Sequence, residues 1–285
     1  MVRIWPPLRL QAMDTGIGTK HLYTACRLTG QFLYEPNNKH YGVDGTGFIA
    51  SLADERPVVV TNRHVVDDAW AEPLRAGSVL QRLDVKLWRD NTTKQELSLS
   101  PQAVKVHPDP TIDVAAAIID TASTVIDASP KNVVVGYNIP WWYLHDQYQE
   151  HNSILEVGEL VMFPGYPEWF DHSAGRPIMR TGAIVSDPQF DHRFKNGPPD
   201  NQDGNRQIAF DAFSFSGNSG SPVFVAQRGL QVKSAGGFEL TYDGTFHPSL
   251  LVGINAGHLS DRRGQHAGLS RMFKTSAILE LLQTL

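Results

Sequence analysis

Short runs of apolar or alternating residues recur along this chain, each cut off by Gly, Pro, Asn or Asp, and no helical periodicity shows until its end. Val58-Val59-Val60-Thr61 is a β-branched run, and Leu83-Asp84-Val85-Lys86-Leu87-Trp88 alternates as a half-buried strand does. Further strands are predicted at Val43–Leu52, Val104–Val106, Val133–Val135, Leu160–Phe163, Met179–Val185, Gln207–Phe213, Val223–Val225 and Leu251–Asn255. Gly45 and Gly47 suggest the bend of a small-barrel corner. Only at the C-terminus do Ile278, Leu281 and Leu282 share a helical face, with Thr275 placed as its N-cap. Such punctuated strands predict an all-β protein of two barrels with a helix over 276–284. A length of 285 residues, 41% of them hydrophobic, is enough to bury a core of that size.

Three segments of this pattern carry chemistry. Ser216-Gly217-Asn218-Ser219-Gly220-Ser221-Pro222 fits G-x-S-G-x-P, a turn that exposes a serine hydroxyl beside two backbone N–H groups. Thr61-Asn62-Arg63-His64-Val65-Val66 sets a histidine directly after an apolar run. Thr111-Ile112-Asp113-Val114-Ala115-Ala116-Ala117 sets an aspartate at the head of another. A nucleophile, a base and a carboxylate to orient the base are therefore present, in the order His, Asp, Ser.

With these motifs, and with Gly45-Thr46-Gly47-Phe48-Ile49, Gly158-Glu159-Leu160-Val161, Phe163-Pro164-Gly165 and Val252-Gly253-Ile254-Asn255, the chain resembles trypsin-like serine proteases. It is most similar to the disulfide-free bacterial HtrA/Deg type, here without a PDZ domain. The His-Asp-Ser order separates this arrangement from the subtilisin and α/β-hydrolase ones. The resemblance implies two six-stranded antiparallel β-barrels of the chymotrypsin-like fold. A lead-in at 1–20, a barrel at 21–136 carrying His64 and Asp113, a linker or insertion at 137–155 and a barrel at 156–285 carrying Ser219 follow from it.

It also implies the roles. Ser219 is the nucleophile, His64 the base and later the acid, and Asp113 holds the imidazole. Gly217, Asn218 and Ser219 form the oxyanion turn. Only Asp113 opens the D-V-A-A-A strand, whereas Asp109 and Asp120 merely flank it and Asp67 and Asp68 sit too close to His64. Asn218 is neutral where trypsin-like zymogens carry an aspartate, so activation by amino-terminal clipping is not expected. Phe213 marks the floor of a specificity pocket whose wall comes from Ile254, Asn255, Ala256, Gly257 and Leu269. A small or apolar side chain is expected at the cleavage position.

A single cysteine, Cys26, excludes an intrachain disulfide, and the amino terminus lacks the pattern of a signal peptide. A cytoplasmic location is expected. A net charge of −5 argues against a dedicated nucleic-acid binder, and no window reaches the length of a membrane span. The histidines at 145, 151, 172, 192, 258 and 266 show no metal-binding spacing, so neither metal nor cofactor is expected. The expected partners are a protein or peptide substrate and a regulatory protein. The Gly- and Pro-rich loop at 187–206 and the aromatic segment at 137–155 are the expected gates.

Overall fold

A computed structural model describes residues 3–4, 18–194, 206–229, 231–233, 239–241, 246–260 and 263–285. The first strands are β1 (Arg3–Ile4), β2 (Ala25–Tyr34), β3 (Lys39–Ser51), β4 (Pro57–Thr61), β5 (Ser78–Trp88) and β6 (Lys94–Leu99). There follow β7 (Val104–Val106), β8 (Ala115–Ile118), β9 (Val125–Ser129), β10 (Val134–Val135), β11 (Leu160–Gly165) and β12 (Ile178–Ile184). The last are β13 (Gln207–Asp211), β14 (Pro222–Val225), β15 (Gln231–Lys233), β16 (Glu239–Thr241), β17 (Leu250–Ser260) and β18 (His266–Lys274).

The second half closes into a six-stranded antiparallel barrel in the order β11-β12-β13-β18-β17-β14. The first half is an eight-stranded antiparallel sheet, β7-β8-β4-β3-β2-β5-β6-β9, rather than the expected six-stranded barrel. Two additional strands account for the difference: three-residue β7 lies on β8, and half-exposed β9 lies on β6. Short edge strands of this kind limit pairing with other chains.

The apolar run of β4 has a physical cause in this arrangement. Both of its faces are covered: Val59 packs with Cys26, Leu28 and Ile49 in the core of the first sheet. Val58 and Val60 join the cluster formed by Phe163, Phe210, Phe224 and Phe273 of the barrel. Flanking β3 divides the same way, with Ile49 facing one core and Phe48 and Ala50 the other. The turn that follows β4 is thereby wedged between two cores.

The 137–155 segment is helical at Trp141–Leu144 and Asp146–His151. Its Tyr143, Leu144, Tyr148 and Leu155 are buried in the shared cluster, so it packs as core. The terminal helix spans Thr275–Leu282, but its N-cap is Lys274 rather than Thr275. The Thr275 hydroxyl donates instead to Leu251 O at 2.8 Å, pinning the helix to β17. Of the lead-in, Arg3–Ile4 pairs in parallel with Val134–Val135, while 5–17 lie outside the described residues. So do 195–205 of the predicted 187–206 loop. No helix among the described residues is long and apolar enough to cross a membrane.

Candidate active site

His64 sits in a four-residue helix, Arg63–Val66, that begins where β4 ends. Val65 and Val66 bury themselves in the first sheet and fix the helix there. Asn62 leads into it with extended backbone angles, and its Nδ2 donates to Asp113 O at 2.8 Å. The Asp113 loop is shaped by Asp109, whose Oδ1 accepts from Thr111 N at 2.9 Å and Thr111 Oγ1 at 2.7 Å. Trp70 ties the two loops together by donating its indole N–H to Pro110 O at 2.8 Å.

The Asp113 carboxylate is buried and grips His64 at two points. Oδ1 accepts the His64 backbone N–H at 2.9 Å, and Oδ2 lies 2.7 Å from Nδ1. A carboxylate oxygen only accepts, so the hydrogen bond assigns the ring proton to Nδ1 and leaves the Nε2 lone pair available. The His64 side chain is 25% exposed, so part of the ring is open to solvent.

Ser219 lies in a turn closed by Asn218 N donating to Phe215 O at 2.9 Å and Ser221 N donating to Asn218 O at 3.0 Å. Gly217 and Gly220 adopt φ of +91° and +88°, which L side chains rarely tolerate. Strand β17 holds the turn from behind: Gly220 N donates to Asn255 O and Asn255 N to Ser221 O, each at 2.9 Å. Asn218 itself is fully buried, and neither Oδ1 nor Nδ2 has a partner among the described residues. Gly45 marks the approach of the serine turn to the histidine helix. A β-carbon placed there would meet Val65 Cγ2 at 2.7 Å and Ser219 O at 3.4 Å.

Two backbone donors of the turn are unspent. The N–H groups of Gly217 and Ser219 have no acceptor among the described residues, and Ser219 Oγ makes no hydrogen bond there either. Sequence could not settle this, since it depends on how single peptide planes are turned. A carbonyl oxygen taking on negative charge in front of Ser219 would find two free donors. Each such donor typically contributes on the order of 3 kcal/mol to transition-state stabilisation.

The predicted pocket residues divide into two groups. Phe213 is 50% exposed, Leu269 is half-buried, and nothing lies within 4 Å of a β-carbon built on Gly257. Ile254, Asn255 and Ala256 are all buried, Ile254 and Ala256 in the barrel core and Asn255 against the serine turn. Asn255 Nδ2 donates to Ser214 Oγ at 2.9 Å and to Asn218 O at 2.8 Å, so this side chain supports the turn from within rather than lining a cleft. Sequence reasoning missed the rings around Phe213. His266 lies 4.8 Å from it, His258 stacks 4.4 Å from His266, and Phe215 and Trp169 continue the row. Burial, His266 and Arg271 together push the His258 imidazole toward its neutral form. Strand β18, which brings His266 and Leu269 here, was not read because buried Ser270 breaks its alternation. Among the described residues no group of three His, Cys, Asp or Glu could hold a metal ion.

A closed antiparallel barrel docked on a curved antiparallel sheet, with the His64 and Ser219 turns at the seam, is the chymotrypsin-like fold. The family model for the trypsin-like peptidase domain matches residues 45–230, and the chain belongs to that family. Among solved structures, a thermostable serine protease, AL20, from an extremophilic microorganism is similar. It is 12% identical with a TM-score of 0.51, over 93% of this chain and 98% of that one. The Rv3671c protease in its inactive form is 16% identical with a TM-score of 0.46, over 93% and 89% of the two chains. The comparison with curated proteins gave no match.

Proposed function

We propose that this protein is a serine endopeptidase that works through an acyl-enzyme. The observation that carries the reading is the two-point grip of Asp113 on His64, which puts the ring proton on Nδ1 and leaves the Nε2 lone pair to act as base. Ser219 Oγ attacks the carbonyl carbon of a peptide bond as its proton passes to Nε2. The tetrahedral oxyanion takes the N–H groups of Gly217 and Ser219. Its collapse breaks the C–N bond, and the proton on Nε2 goes to the leaving amine. Water, deprotonated by the same nitrogen, then releases the acyl group and restores Ser219. No cofactor enters these steps.

The test is a fluorophosphonate probe applied to the purified chain, with the adduct located by peptide mass spectrometry. Stoichiometric labelling confined to Ser219 in native protein, and absent after heat denaturation, is the expected result. A native protein that stays unlabelled would overturn the reading in favour of a peptide-binding module on a protease fold.

The exposed Phe213 ring and the neutral tendency of His258 favour an apolar or small residue at the cleavage position. A peptide panel varied only at that residue is expected to be cut best after such side chains. Best cleavage after Arg or Lys would refute the preference. We further read the activity as restrained by a partner or by loops over the cleft. The free donors of the turn favour control of access over control of the oxyanion site. Efficient constitutive proteolysis by the purified chain would count against any restraint.

A further inference from the structure

The carbonyl groups of the serine turn are not left to themselves, and one side chain from the other half of the protein holds that of Gly217. Thr46 lies on β3 of the first sheet and is fully buried. Its hydroxyl donates to Gly217 O at 2.6 Å and accepts from Tyr166 N at 3.0 Å. Its backbone N–H donates to Ser219 O at 2.8 Å, and its carbonyl accepts from Thr61 Oγ1 at 2.8 Å. One residue thus joins the first sheet, the end of β11 and both sides of Asn218.

Peptide planarity carries these contacts to one of the two donors, the Ser219 N–H, whose plane lies between the two planes that Thr46 holds. A carbonyl and the following N–H share one rigid plane and point in opposite directions. With Gly217 O held by Thr46, the Asn218 N–H is sent to Phe215 O at 2.9 Å. Asn218 O is held by Ser221 N and Asn255 Nδ2, which turns the Ser219 N–H outward. With Ser219 O held by Thr46 N, the Gly220 N–H is sent to Asn255 O at 2.9 Å. Gly217 is the vulnerable link: at a φ of +91° and without a β-carbon, it gives the backbone more freedom than any other residue would. The Thr46 hydroxyl is the contact that holds its carbonyl among the described residues.

We propose that Thr46 is a positioning residue that sets the oxyanion turn across the seam between the two halves. The inference rests on the reading of Gly217 and Ser219 as oxyanion donors. It makes that site depend on the docking of the first sheet against the barrel, since the turn and the residue that holds the planes on either side of its Ser219 N–H lie in different halves.

Thr46→Val keeps the shape of the side chain and removes its hydroxyl, and Thr46→Ser restores the hydroxyl. Thr46→Val is expected to lower kcat by about 10- to 100-fold, less than the roughly 100- to 1000-fold for losing an oxyanion donor outright because the donors themselves remain, with KM changed by less than about 2-fold. A peptide aldehyde, whose adduct places an oxyanion at the turn, is expected to bind more weakly by a similar factor, and Thr46→Ser to recover most of both losses. A parental kcat in Thr46→Val, or a loss that Thr46→Ser fails to recover, would overturn the proposal. A second arm needs no catalysis. In a Ser219→Ala background, Thr46→Val is expected to speed hydrogen exchange at the Asn218 amide by at least about 10-fold, because freeing Gly217 O frees its plane. Unchanged exchange would overturn the proposal whether or not the parent enzyme turns over. Faster exchange beside an inert parent would instead count only against the endopeptidase reading.

Discussion

Replacing Ser219 by alanine is expected to lower kcat by about 10⁶-fold while moving stability by less than about 0.5 kcal/mol. The small stability effect follows from the half-buried position of Ser219 and from a hydroxyl with no hydrogen bond among the described residues. The large rate effect follows if the Ser219 Oγ is the nucleophile, because the acyl-enzyme then forms on that oxygen. His64→Ala is expected to cost nearly as much. The double variant should be no worse than either single one, since groups that act as a unit are strongly non-additive. Additive losses would mean that the two residues work separately.

Asp113→Asn belongs to the same set and is expected to cost about 10⁴-fold. The geometry explains why so conservative a change is severe. An asparagine can keep its oxygen on the His64 backbone N–H, where Oδ1 now accepts at 2.9 Å. Its amide nitrogen would then face Nδ1, 2.7 Å from the present Oδ2. That nitrogen donates, so Nδ1 must accept and the ring proton moves to Nε2, where a base is needed. Steady-state kinetics of all four variants beside their thermal unfolding would show whether rate and stability separate as expected.

Gly220→Ala is the substitution expected to damage the structure most. A β-carbon at Gly220 would lie 1.9 Å from Thr46 O and 2.6 Å from Thr61 Oγ1, both on buried residues. Thr46 cannot retreat, because it is paired with Arg27 in the β2–β3 ladder and is bonded to Thr61, Gly217 and Ser219. The φ of +88° adds strain of its own for any L side chain. Strain and overpacking together are expected to cost about 3 kcal/mol or more, read as a lower urea midpoint at unchanged slope. Labelling of Ser219 by the fluorophosphonate should be lost as well. A variant with the parental midpoint and labelling would show that the turn has another conformation open to it.

Much of the fold was legible because local pattern encodes local backbone. The β4 run, the alternation of Leu83–Trp88 and the Gly-Asn-Ser-Gly turn each state their own conformation within a few residues. Strand β2 was harder to see, because Cys26 and Gly30 occupy inward positions where larger apolar residues would have marked the period. The pocket wall was only half legible. Alternation cannot say which face of β17 meets the cleft: Ile254 packs in the barrel core and Asn255 is buried against the serine turn.

The sequence by itself determined that a histidine, an aspartate and a serine each stand on a turn beside a strand, and that glycines flank the serine. Those are statements about neighbours along the chain. Only the tertiary structure decided that Asp113 reaches across 49 positions to grip His64. It alone decided that the Gly217 and Ser219 donors are left without an acceptor among the described residues, and that Thr46 holds a carbonyl 171 positions away. These depend on two cores docking along β3 and β4, where Val59 faces one core while Val58 and Val60 face the other. Contacts of that kind are set by the sum of distant packing, which no short segment of the chain carries.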